Sequence, residues 1–196
     1  MIEAKEFLDF LEHIGVGFFS GVPDSQLQSF CTELYNRYGE QNSQHIVAVN
    51  EGNAVALGAG YHLATGKKPL VYLQNSGLGN AVNPATSLTD PMVYNIPILY
   101  LVGWRGEPDI HDEPQHKKQG AITCSLLELL GIPYIMVDKN SDNESLEVDF
   151  SRKLALPLGT GESVAIVVRK GGFTTPSVTF PSHNAPLGRE EVIKLI

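Results

Sequence analysis

Six times along this chain a short apolar run gives way to turn-forming residues and then to a helical pattern, and that repetition leaves few folds open. The runs are Val16–Phe19, Ile46–Val49, Pro69–Leu73, Pro97–Val102, Pro133–Val137 and Val164–Val168. Their length suits strands buried on both faces. Between them, apolar residues recur at helical spacing. Phe7, Leu8, Phe10 and Leu11 mark a helix over Glu3–His13, and Leu27, Phe30, Cys31 and Leu34 mark a second, capped by Asp24 or Ser25. Further helices are expected over Glu51–Ala64, Leu78–Leu88, Gln119–Leu130 and about Asn143–Leu156. Strands alternating with helices predict an α/β fold: a doubly wound, mostly parallel six-stranded sheet flanked by helices in three layers.

Composition narrows the function classes. With 196 residues, 42% hydrophobic, the chain holds one full domain, expected over 1–172. A net charge of −8 without any basic run argues against nucleic-acid binding, which rests on clustered Lys and Arg. Met1-Ile2-Glu3-Ala4-Lys5-Glu6 lacks the order of a signal peptide, and no apolar run reaches the roughly 20 residues of a membrane span. A cytoplasmic protein with no membrane contact is expected. Cys31 and Cys124 lack CxxC spacing and read as reduced, packed thiols. No carboxylate and His cluster has metal-site spacing, so no metal ligands are expected in this chain. No GxGxxG or P-loop follows a strand, which disfavours a nucleotide binder.

In doubly wound sheets, ligands bind beyond the carboxyl ends of the strands. The segments to examine are therefore Gly21-Val22-Pro23-Asp24-Ser25, Asn50-Glu51, Gln74 to Gly79 and Gly103 to Gln119. Glu51 follows a strand directly and opens a helix of small residues. Its carboxylate either stabilises the helix through the macrodipole or serves as an acid that shares a proton with a bound ring nitrogen. The Gly103–Gln119 segment, read as a loop, carries Arg105, His111, His116, Lys117 and Lys118 in an acidic chain and suits an anionic substrate. Asp24 and Ser25 are explained equally by helix capping and by a role in a site. Trp104 reads as a packing residue, and His13, His45, His62 and His183 lack ligand-like company.

The string Val49-Asn50-Glu51-Gly52-Asn53-Ala54-Val55-Ala56-Leu57-Gly58-Ala59-Gly60, followed by Asn75-Ser76-Gly77-Leu78-Gly79-Asn80, resembles the flavodoxin-like pyrimidine domain of thiamine-diphosphate enzymes. The resemblance implies that Glu51 hydrogen-bonds N1′ of the aminopyrimidine and so promotes removal of the thiazolium C2 proton. It implies cofactor contacts from Val22, Pro23, Asn75, Ser76, Gly77 and Leu78 as well, with Leu78 standing where a proline is usual. Ser20 to Ser25, Tyr72 to Asn80, Gly103 to Pro108 and Asp112 to His116 are similar to the phosphonopyruvate decarboxylases, with sulfopyruvate decarboxylases as near relatives. That similarity implies catalytic roles for Asp24 and His116 beside Glu51, and substrate contacts from Ser25, Arg105, Gln115 and Lys117.

The Gly-Asp-Gly motif, by which this family's second domain holds the diphosphate and its Mg2+, occurs nowhere in the chain. The resemblance therefore implies a partner: a diphosphate-binding domain or subunit, without which neither thiamine diphosphate nor Mg2+ is fully held. Residues 173–196 read as a linker and the start of a helix leading to that missing domain, so a fragment of a longer decarboxylase is expected, inactive in isolation. The family builds its sites between subunits, which implies a homo-oligomer. Two alternatives stay open, a sulfopyruvate decarboxylase alpha subunit and a non-catalytic assembly module.

Overall fold

A computed structural model describes residues 1–39 and 42–175. The expected linker and helix start, and His183, fall outside the described residues except for 173–175. The strands are β1 (Val16–Gly21), β2 (His45–Val47), β3 (Lys68–Gln74), β4 (Leu99–Gly103), β5 (Tyr134–Val137) and β6 (Val164–Val168). They form one sheet in the order β2-β1-β3-β4-β6-β5, and every pairing is parallel. Such a sheet needs helices on both faces, and α1 (Ala4–His13), α2 (Gln28–Tyr38), α3 (Glu51–Thr65), α4 (Leu78–Pro84), α5 (Pro114–Leu129), α6 (Asn143–Lys153) and α7 (Ala155–Gly159) supply them.

Alternation along the central strands sends side chains into two separate cores. Leu70 and Tyr72 of β3, Leu99 and Leu101 of β4, and Val164 and Ile166 of β6 pack with Phe7 and Leu11 of α1, Phe30 and Leu34 of α2, and Phe150 of α6. Their neighbours Val71, Leu73, Tyr100, Val102, Ala165 and Val167 face Ala54, Val55 and Ala59 of α3, Leu78 and Ala81 of α4, and Leu127 of α5. Ile2 pairs with Phe173, whose ring stacks obliquely on Phe7 and Phe30.

Three element boundaries depart from the sequence reading, each for a local reason. Helix α5 begins at Pro114 rather than Gln119, because proline at N1 has the right φ and lacks only an amide that would be unpaired there. Helix α4 stops at Pro84 and passes into a π turn, Ala85–Thr89. Strand β2 ends at Val47, and the exposed Val49 already belongs to the turn that leads into α3. Among the described residues, no helix is long and apolar enough to cross a membrane.

The topology fixes where a ligand belongs. From β1 the chain moves outward to β2, then α3 carries it back past β1 to β3, so the winding direction reverses between β1 and β3. The crevice of a doubly wound sheet lies at that reversal, outside the carboxyl ends of the strands.

Candidate active site

Two groups of side chains meet this crevice. The first is built on α3. Asn50 caps the helix by accepting from the Asn53 amide at 2.9 Å, which leaves Glu51 in the first turn, half-buried. Its Oε2 accepts a hydrogen bond from Asn80 Nδ2 at 2.7 Å, and among the described residues Oε1 accepts none. The side chain packs against Gly77, where a β-carbon would force the Glu51 carboxylate to shift. Gly77 is buried between Ser76, which is exposed and accepts from Gln74 Nε2 at 2.7 Å, and Leu78, whose side chain sits in the second core.

The second group comes from the turns after β1 and β4. Asp24 is buried and caps the short 3-10 turn Ser25–Leu27 by accepting from the Gln26 amide at 3.1 Å. Ser25 beside it is exposed, as is Pro23, while Val22 is half-buried with its amide bonded to Tyr72 O at 3.1 Å. Arg105 makes a two-pronged pair with Asp112, Nε to Oδ2 at 2.8 Å and Nη2 to Oδ1 at 2.6 Å, and its Nη1 donates to Ser25 Oγ at 3.0 Å. The Arg105 guanidinium holds the Asp112 carboxyl well below the usual carboxylate range, against its partial burial and with help from the Gly106 and Glu113 amides.

Asn75 ties the two groups together. It is wholly buried, and its Nδ2 donates to Arg105 O and to Thr123 Oγ1, both at 2.8 Å, while its Oδ1 accepts from the Arg105 amide at 3.0 Å. Its side chain braces the loop after β4 against α5. Gln119 Nε2 adds a bond to Asn75 O at 3.0 Å.

His116 lies half-exposed in the first turn of α5, close enough for its charge to act on Asp24. Gln115 and Lys117 flank it but are exposed, and among the described residues neither makes a side-chain hydrogen bond or ion pair. The helix start at Pro114 explains this: successive residues of a helix point to different sides, so only one of the three can face inward. Trp104 is a packing residue, its indole donating to Gly120 O at 2.9 Å. His45 is buried at the sheet edge between Gly39 O and the Tyr72 hydroxyl, 2.6 and 2.9 Å from its ring nitrogens. Cys31 and Cys124 are free, and burial pushes the Cys31 thiol up to about 12.

Three participants escape a reading of the sequence: Asp112, Asn80 and Lys170. Asp112 and Asn80 were within quoted motifs, yet their pairings arise only when the loops close. Lys170 lies just beyond β6, where the strand-end rule alone would have directed attention.

Residues 3–126 match the sequence family described as thiamine pyrophosphate enzyme, N-terminal TPP binding domain. The chain belongs to the thiamine pyrophosphate enzymes. It is 38% identical over 143 residues to phosphonopyruvate decarboxylase of Streptomyces viridochromogenes, covering 72% of this chain and 34% of that protein. It is also 35% identical over 121 residues to the sulfopyruvate decarboxylase alpha subunit of Methanococcus maripaludis, covering 61% and 68%. The chain spans about a third of the length of the phosphonopyruvate decarboxylases that it matches, 34% and 37%. Among solved structures, benzoylformate decarboxylase of Polynucleobacter necessarius superposes with a TM-score of 0.61 at 18% identity, over 91% of this chain and 32% of that one. That likeness supports the fold.

The α3 group fits what a thiamine pyrophosphate enzyme needs for its pyrimidine. A half-buried carboxylate with one oxygen fixed by Asn80 and the other accepting no hydrogen bond among the described residues can accept from a ring N–H. Among the described residues, no cluster of three or more His, Cys, Asp or Glu could hold a metal ion.

Asp24 gives the first testable consequence. Burial raises its carboxyl above the usual range, although the Gln26 and Ser25 amides and the Arg105 and His116 charges pull the other way. A raised folded value means that the group favours the fold at low pH, and this contribution is lost as pH rises through that value. Asp24→Asn keeps the capping oxygen and removes the buried charge. The variant is expected to melt roughly 2–4 °C above wild type at pH 7, with the gap closing towards pH 4. Thermal melts at both values check this; an equal gap at both would show that the charge is not the cause.

Proposed function

We propose that this chain is the pyrimidine-binding half of a thiamine-diphosphate-dependent decarboxylase that converts 3-phosphonopyruvate to phosphonoacetaldehyde and carbon dioxide in the cytoplasm. The observation that carries the proposal is that Glu51, packed on Gly77, and the Asp24, Ser25 and Arg105 group both follow the carboxyl ends of strands of one sheet, with Asn75, two residues before Gly77, bonded to the Arg105 backbone. One half suits a cofactor ring and the other an anionic acid. The likeness to two phosphonopyruvate decarboxylases, at 38% and 36% identity, supports that substrate.

Bound thiamine diphosphate supplies the electron sink that takes up the electron pair released as carbon dioxide leaves. This chain's residues prepare and surround it. Glu51 offers Oε1 to the pyrimidine N1′ and holds the proton there, while Asn80 keeps the carboxylate from rotating away. Val22, Pro23 and the Ser76-Gly77 turn, which follow β1 and β3, would hold the pyrimidine ring. His116 and Asp24 flank the corner from which the proton that replaces carbon dioxide would be delivered. Arg105, fixed by Asp112, and Ser25 face the acid's negative charge, with Gln115 and Lys117 on the approach to it. A diphosphate-binding domain or subunit completes the site with Mg2+, in a homo-oligomer.

A sulfopyruvate decarboxylase alpha subunit is the second reading, favoured by the fuller coverage of that relative, 68% of its length. The two acids differ only in the terminal oxyanion. Turnover of each, measured side by side with the diphosphate-binding half present, decides between them. We expect kcat/KM to favour phosphonopyruvate by roughly tenfold or more, about 1.4 kcal/mol of differential transition-state binding. The opposite preference would transfer the assignment to sulfopyruvate, and turnover of neither acid would remove both readings.

A further inference from the structure

A cleft of about 370 Å³ opens beside the Asp24 corner, beyond the ends of β1, β4 and β6, and its lining includes Ser25, Gln28, Ser29, Arg105, Lys170 and Thr174. Its size lies within the roughly 300–1,000 Å³ of small-ligand pockets. The cationic residues in its wall are not equivalent. Arg105 is matched in charge by Asp112 through two hydrogen bonds, and its third nitrogen is engaged by Ser25. Lys170 is exposed on the cleft and makes no ion pair among the described residues. The free positive charge of the cleft therefore belongs to Lys170.

The hydroxyls divide in the same way. Ser29 donates to Thr174 O, so its proton is committed. Ser25 Oγ accepts from Arg105 Nη1, which leaves its own O–H free to donate into the cleft. Arg105 thus orients Ser25 while its own charge is matched by Asp112.

We propose that Lys170 and the Ser25 hydroxyl form the subsite for the terminal phosphonate or sulfonate of the substrate acid, a deepening of the decarboxylase reading that rests on it. A compact ammonium on a flexible stem suits a tetrahedral oxyanion that needs no planar fork. Because Ser25 follows Asp24 directly, an acid held here by its terminal group keeps its other end next to the proton-handling corner.

Two measurements test the subsite. In the first, methylphosphonate is titrated into the chain and its Lys170→Gln and Lys170→Arg variants and followed by NMR, with acetate as a singly charged control. Wild type and Lys170→Arg should bind methylphosphonate in preference to acetate, and Lys170→Gln should bind it roughly 10- to 100-fold more weakly, as expected for loss of a charge-assisted contact. No binding by wild type, or equal binding by Lys170→Gln, would overturn the proposal. The second uses the complete enzyme, where Lys170→Gln should raise KM for phosphonopyruvate by a similar factor at unchanged kcat, and leave turnover of pyruvate, which lacks the terminal group, as in wild type. An equal loss on both acids would show a general structural role and also overturn it. Lys170-dependent methylphosphonate binding in a protein whose complete form turns over neither phosphonate nor sulfonate acid would sink the decarboxylase reading and leave the oxyanion subsite standing.

Discussion

Glu51→Gln in the complete enzyme is expected to lower kcat by roughly 10²- to 10⁴-fold, the range of a lost acid–base group. The substitution is close to isosteric, and the amide oxygen of glutamine can still accept the 2.7 Å bond from Asn80. What changes is the other side of the group. Glu51 Oε1 is the atom without a partner, and an amide nitrogen there would donate where the proposed ring N–H needs an acceptor. Stability should stay within about 0.5 kcal/mol of wild type, because the residue is half-buried and its capping neighbour Asn50 is untouched. Steady-state rates together with thermal melts separate the two effects. A near-normal kcat would end the role of Glu51 as activating acid, and a collapsed melt would mean that its main duty is to the helix.

The sheet was legible because its central strands are buried on both faces and so read as continuous apolar runs. Val164–Val168 is the simplest case, every residue buried and every one apolar. Helix starts were harder wherever polar residues carry them. Pro114-Gln115-His116-Lys117-Lys118 looks like a charged loop until proline is given its place at N1, and the error moved three candidate residues from a loop onto a helical turn. That shift matters for the site, since it turns His116 inward and leaves Gln115 and Lys117 exposed. Residues that follow strands could be picked out from topology alone, and Asp24, Ser25, Glu51 and Arg105 do lie just beyond strand ends. Their partners could not. Asp112 pairs with Arg105 across a loop, and Asn80 reaches Glu51 from another helix, contacts that depend on loop closure and helix packing rather than on any local pattern. The bracing by buried Asn75 is of the same kind, since its bonds to Arg105 and Thr123 join segments far apart in the sequence.

Gly120→Ala should be the most disruptive small change to the cationic side of the site. Gly120 lies within α5, where alanine would ordinarily gain about 1 kcal/mol of helix propensity. Here a β-carbon would run into the carbonyl of Gly106, and backbone cannot swing aside as a side chain can. Gly106 has no freedom to retreat. Its φ is +67°, its amide is bonded to Asp112 at 2.8 Å, and the adjacent Arg105 is pinned at both its amide and its carbonyl by Asn75. Forcing the two segments apart also strains the Trp104 bond to Gly120 O. Overpacking of this kind costs about 1–3 kcal/mol beyond the propensity gain, so the chain should melt several degrees lower, with Arg105 and Ser25 displaced together. In the complete enzyme kcat/KM should fall by roughly tenfold or more, since small misplacements of positioning groups cost about that much. Gly60→Ala is the control: nothing lies within 4 Å of a β-carbon there, so the chain should gain up to about 1 kcal/mol. If Gly120→Ala melted with Gly60→Ala above wild type, the loop would not be held against α5 by close backbone contact, and the rigid placement of Arg105 would lose its basis.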